Sequence, residues 1–244
     1  MSDNIKPNRE DEAAVIGTTH PNNRRTFLKL GGTGVAAMAL NYVGGASPAM
    51  ASAHPSLNLQ EDGNQEIDLG SGDIGVLNYA YLLEQLEADF YTRVVANFYD
   101  GITGEERQIL TDIRDHEIIH REFFKAALGE NAIPMVQFDF SKVDFSSRDS
   151  VLVTAQIFED TGVAAYNGAG QLLESTEYLI LAGKIVSVEA RHAAAIRDLR
   201  IPRSGFFAPD TADPALDPPT VLALASPFIR ASVSARNLPM ITAV

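Results

Sequence analysis

The chain has 244 residues and carries 19 Lys and Arg against 32 Asp and Glu, a net charge of −13. That length suffices for one domain with a sizeable core plus tails, and the acidity argues against nucleic acid or anionic lipid as partners. With no cysteine, the sequence rules out disulfides, thiolate metal sites and thiol catalysis.

Residues 1–22 are polar and are expected to be disordered. Arg24 and Arg25 follow, leading through Phe27, Leu28 and Lys29 into a short apolar, glycine-rich run over 30–40 and the small residues 49–53. A charged start, a short apolar core and an Ala-x-Ala site make a secretory signal. The arginine pair resembles the twin-arginine export signal, with cleavage after Ala51 or Ala53. The apolar run is well short of the roughly 20 residues that a permanent membrane anchor needs. The segment 1–53 is therefore expected to direct export to a periplasm or the cell exterior, with the twin-arginine translocase as a transient partner. Residues 54–72, punctuated by Gly, Asn, Asp and Pro, read as a linker.

From Asp73 the period becomes helical. A first helix is expected over 73–99, with Leu77, Tyr81, Glu84, Ala88 and Tyr91 on one stripe. A second runs over 104–128, opened by Thr103 and Glu106 in capping-box spacing and closed by Gly129. Residues 129–147 form a long connection in which Phe138 and Phe140 alternate with polar positions, which suits the crossover of some four-helix bundles. The third and fourth helices are expected over 149–173 and 176–200, the last ended by Pro202. The domain is thus 73–200. Beyond it lies a proline-rich extension, 201–244, with one apolar segment, Val221–Ala225, that can pack back on the bundle.

Chemistry enters through a repeat. Glu84 is followed seven residues later by Tyr91, and Glu159 seven residues later by Tyr166. Seven residues is two helical turns, so each pair shares a face. On the next helix a Glu-x-x-His pair follows each time, Glu117 with His120 and Glu189 with His192, 33 residues after Glu84 and 30 after Glu159. The repeat predicts two similar hairpins related by a pseudo-twofold axis. Glutamates on two helices and Glu-x-x-His pairs on two others form the dinuclear site of carboxylate-bridged bundles. Glu84, Glu117, His120, Glu159, Glu189 and His192 are the expected metal ligands. Four carboxylates balance two divalent cations, and the imidazoles suit iron or manganese.

Glu87 competes with Glu84 for the first-helix position, and the match of Glu84–Tyr91 to Glu159–Tyr166 favours Glu84. Tyr91 and Tyr166 are either redox-active side chains or hydrogen-bonding core residues. His116 is turned about 100° from Glu117 and reads as a surface or interhelix residue. Asp115, Asp160 and Arg191 are candidates for orienting the ligands. Gly162, Gly168 and Gly170 weaken the third helix and suggest close helix packing.

The stretches around Glu159–Tyr166, Val188–Arg197 and Val76–Tyr91 resemble the ferritin-like domain family that includes desiccation-related and many bacterial exported proteins. The spacing is also similar to that of bacterioferritins, rubrerythrins and manganese catalases. The resemblance covers about residues 70–200 and implies an all-α ferritin-like four-helix bundle holding two Fe or two Mn ions at the six positions named. It implies redox chemistry on peroxide or dioxygen in oxidative or desiccation stress. The alternative is a non-catalytic metal-binding or structural protective protein. A homo-oligomer is compatible with either.

Overall fold

The computed structural model describes residues 66–240; the twin-arginine segment, the cleavage site at Ala51 or Ala53 and residues 54–65 of the expected linker lie outside the described residues. Four long helices dominate: α1 (Gly72–Ala96), α2 (Gly104–Leu128), α3 (Arg148–Gly170) and α4 (Thr176–Arg200). α1 packs chiefly on α2 and α3 on α4, and the two hairpins meet through α1 against α3 and α2 against α4. This is an all-α bundle of two hairpins with a long crossover between its second and third helices.

The helix ends follow local chemistry. Thr103 accepts from the Glu106 amide at 3.1 Å while Glu106 Oε2 accepts from the Thr103 amide at 2.8 Å, the reciprocal cap that opens α2. Gly129 closes it at φ +54°, where a side chain would be strained. α1 stops three residues before the expected end, because Asn97 leaves helical geometry and the chain turns to bury Tyr99. α3 likewise ends at Gly170 rather than 173, in a turn closed by Leu172 N–H to Ala169 O at 2.9 Å.

Polar side chains of α1 hold the crossover. Asn78 donates to Asn131 O at 2.9 Å and accepts from the Ile133 amide at 3.0 Å, while Gln85 accepts from the Val136 amide at 2.8 Å. The last two bonds satisfy backbone amides that would otherwise be buried unpaired. Asp73 accepts from the Glu174 and Ser175 amides, fixing the start of α4 against α1. Phe90, Phe140, Phe158 and Phe228 pack in one aromatic cluster, with the Phe158 and Phe228 rings 4.8 Å apart. Burying a side chain of this size stabilises by roughly 1.5–3 kcal/mol. The cluster joins α1, the crossover and α3 to the C-terminal extension.

That extension packs back as the apolar segment suggests: α5 (Pro218–Ala225) buries Val221 and Ala225 against α3. The end of the expected linker is ordered rather than free. Its strand β1 (Ile67–Asp68) pairs in parallel with β2 (Val233–Ser234), and Leu69 is fully buried. Two of the α3 glycines expected to allow close helix packing face neighbouring helices, Gly162 toward Glu87 of α1 and Gly170 toward Leu179 of α4. Gly168 lets the extension cross, since a Cβ there would lie 1.8 Å from Leu216 O, and Gly162 lies under the Glu87 carboxylate. Among the described residues no helix is long and apolar enough to cross a membrane.

Candidate metal centre

The inner stripes of the four helices converge halfway along the bundle. Glu84, Glu117, Glu159 and Glu189 are at most 1% exposed, and His120 and His192 are 4% exposed. Six ionisable groups this deep are costly unless they find partners. Each histidine points Nδ1 into the carboxylates. His120 Nδ1 lies 2.8 Å from Glu189 Oε1 and 3.4 Å from Glu84 Oε2. His192 Nδ1 lies 2.9 Å from Glu117 Oε1 and 3.4 Å from Glu159 Oε2.

Two overlapping groups of four result: Glu84, Glu117, His120 and Glu189, and Glu117, Glu159, Glu189 and His192. In each, the ligand atoms lie within 4.8 Å of one another, close enough for one ion. Glu117 and Glu189 belong to both groups, whereas Glu84 with His120 and Glu159 with His192 each serve one. The pseudo-twofold repeat in the sequence is thus also a repeat in the site.

The donor set fits metal ions on a direct test. Glu84 Oε2, both oxygens of Glu117 and Glu189, Glu159 Oε2 and the Nδ1 atoms of His120 and His192 are buried and make no well-formed hydrogen bond, their ion-pair contacts being with one another. Buried polar atoms are nearly always paired, so a cluster of orphans facing one space calls for a cation. Oxygen and imidazole donors without sulfur suit first-row metals such as iron or manganese.

The remaining oxygens of the outer glutamates are held by the tyrosines. Tyr91 of α1 donates to Glu159 Oε1 of α3 at 2.5 Å, and Tyr166 of α3 donates to Glu84 Oε1 of α1. Both hydroxyls are pushed well above the usual tyrosine range by burial and by the glutamates they face. They are buried hydrogen-bond donors, each serving the glutamate of the opposite hairpin.

Electrostatics differ across the cluster. Burial lifts Glu84 well above the usual carboxylate range and Glu159 to about 8, against the pull of His120 and His192. Burial also acts on Glu117, but contacts with both imidazoles outweigh it and hold the group well below its usual range. Burial opposes the charge on both histidines; the facing carboxylates, Glu84 foremost for His120 and Glu159 for His192, raise them well above the ordinary imidazole value.

His116, expected at the surface or between helices, reaches the site from its rim. Its Nδ1 lies 2.8 Å from His192 Nε2, and the two rings stack 5.1 Å apart. The sequence signal was the requirement that a ligating imidazole have a partner on its second nitrogen. The other candidates for orienting ligands are engaged elsewhere: Asp160 with Arg197 at 2.8 Å and with Gln156, and Arg191 with the Ser187 carbonyl. Asp115 pairs with Arg114 at 2.8 Å. Glu87 is buried as well, one turn beyond Glu84, beside the cluster but outside both groups of four.

Four helices in two hairpins, carrying paired carboxylates and Glu-x-x-His motifs that converge on one buried cluster, define a carboxylate-type metal-binding bundle. A profile of the ferritin-like domain matches residues 72–201, more than half of the chain, and the chain belongs to that family. No curated protein matches it.

Proposed function

We propose that the cluster holds two iron or manganese ions and that the protein uses them in redox chemistry on peroxide or dioxygen. The observation that carries this reading is the set of buried atoms without hydrogen bonds, divided into two groups that share Glu117 and Glu189. Two shared carboxylates are what holds a pair of ions side by side rather than in separate sites. When bound, such a pair of ions would supply two-electron redox chemistry toward an O–O bond.

The protein's part is geometry and charge. Glu117 and Glu189 would serve both ions, Glu84 with His120 and Glu159 with His192 would each hold one, and Tyr91 and Tyr166 hold the outer carboxylates by hydrogen bonds. The surrounding core keeps water out, so the charges inside act in a low-dielectric space. Export as a folded, loaded protein through the twin-arginine route, with a periplasmic or extracellular role in stress protection, accords with residues 24–53. Reducing equivalents for peroxide turnover would come from a separate protein.

The test is metal content per chain by elemental mass spectrometry on protein exported through its own signal. Two Fe or Mn per chain are expected, falling to one in His192→Ala and below one in Glu117→Ala, which removes a shared ligand. Metal-free protein, or a loosely held mixture lost on dialysis, overturns the reading. Catalase, peroxidase and ferroxidase assays on the loaded protein then separate a redox enzyme from a protein that only binds metal.

A further inference from the structure

One buried carboxylate is left without a role by the six-ligand site. Glu87 is 4% exposed and makes neither a hydrogen bond nor an ion pair with another described residue. Burial, and after it the charges of Glu117, Glu159, Glu189 and Glu84, raises the group well above the usual carboxylate range. It borders a pocket walled mainly by apolar side chains, Leu86, Phe158 and Leu224 among them, where Thr161 is the one other polar side chain. A charged carboxylate in such surroundings is costly unless something compensates it.

The pseudo-twofold repeat explains how it fits. Glu87 follows Glu84 by three residues, and the position that follows Glu159 by three is Gly162. A Cβ on Gly162 would lie 3.2 Å from Glu87 Oε1 and 3.7 Å from Oε2, so the carboxylate lies against the bare face of the opposing helix. Any larger residue at 162 would press on it. The two symmetry-related positions have diverged into one carboxylate and the space that receives it.

We infer that Glu87 is a seventh metal ligand, an additional carboxylate for the ion held by Glu159 and His192. The inference rests on the two-ion reading above. It makes the centre asymmetric: one ion has Glu84 and His120 as its own ligands, the other has Glu159, His192 and Glu87. A fifth carboxylate also exceeds the charge of two divalent ions and matches the further charge of a trivalent one.

Co(II) alone serves as the probe, read by stoichiometry, by its visible absorption and by its release to a chelator. Wild-type protein is expected to bind two Co(II) per chain. Glu87→Gln keeps the side-chain shape; it is expected to bind two as well, but to release one of them about tenfold faster or more and to change its absorption. Gly162→Ala is the second variant, because it displaces the carboxylate while improving helix propensity, so a faster release there cannot come from a weakened helix. Release and absorption in both variants identical to wild type overturn the seventh ligand while leaving the two-ion centre intact. A wild-type protein that fails to bind two Co(II) overturns the two-ion centre, and the seventh ligand with it.

Discussion

The Tyr91 hydroxyl on α1 donates to Glu159 on α3 at 2.5 Å, so each hairpin aims a glutamate of the other. Tyr166 repeats the relationship toward Glu84. The tyrosines therefore join the hairpins as well as shaping the site. Removing a donor leaves a buried carboxylate oxygen unpaired, which costs about 1–3 kcal/mol. Tyr91→Phe in metal-free protein is expected to lose that much stability by chemical denaturation above pH 8, where Glu159, lifted to about 8 by burial, carries its charge. Metal stoichiometry should stay unchanged. An unaltered denaturation midpoint would remove the tyrosine from this role.

His116 supplies the second independent test. For His192 to offer Nδ1 to a metal, its Nε2 must carry the proton, which it donates to His116 Nδ1 at 2.8 Å. His116→Ala is expected to weaken binding of the ion served by His192 about 10- to 100-fold while the other ion keeps its affinity. His116→Gln, which restores an acceptor, should recover most of the loss. Equal weakening of both ions, or none, would show that the contact orients nothing.

Binding should also depend on pH in a definite direction. In the metal-free cluster His120 and His192 retain protons far above the ordinary imidazole value, and Glu159 retains its own up to about 8. A metal ion needs those atoms deprotonated, so loading releases protons. Affinity is therefore expected to rise with pH and to fall as pH drops through 8. Competitive Mn(II) titrations across pH, with calorimetry in two buffers of different ionisation enthalpy, check both parts. A flat affinity with no proton release would contradict the charge distribution described.

Much of this was legible in the residues. The start and end of α2 and the end of α4 follow from the Thr103–Glu106 cap, Gly129 and Pro202, which act locally. The six converging ligands follow from spacing, because helical period fixes which residues share a face. What period does not fix is the neighbour a face meets. Tyr91 shares the face of Glu84, yet its hydroxyl reaches Glu159, since α1 and α3 lie side by side. His116 points away from Glu117 on its own helix and meets His192 because α4 stands on that side. In the sequence Glu84 and Glu87 compete for one position, and in the fold both are buried, with Glu87 set against Gly162 of α3. The pairing of β1 with β2 spans two residues each, too short for any period to show.

The crossing of the C-terminal extension over α3 makes a prediction separate from the metals. Leu216 donates its amide to Ala164 O at 3.0 Å, Asn167 donates to Pro214 O at 3.1 Å, and the Leu216 carbonyl lies over Gly168. A Cβ 1.8 Å from a backbone oxygen cannot be absorbed by a rotamer change, so the extension itself must lift. Gly168→Ala is expected to cost about 1–3 kcal/mol, the range for overpacking a fitted contact, despite the better helix propensity of alanine. Proteolysis within 201–217 should accelerate as the segment detaches, while metal content holds because all six ligands lie on α1 to α4. Cleavage at the wild-type rate with unchanged stability would mean that the extension does not depend on this crossing.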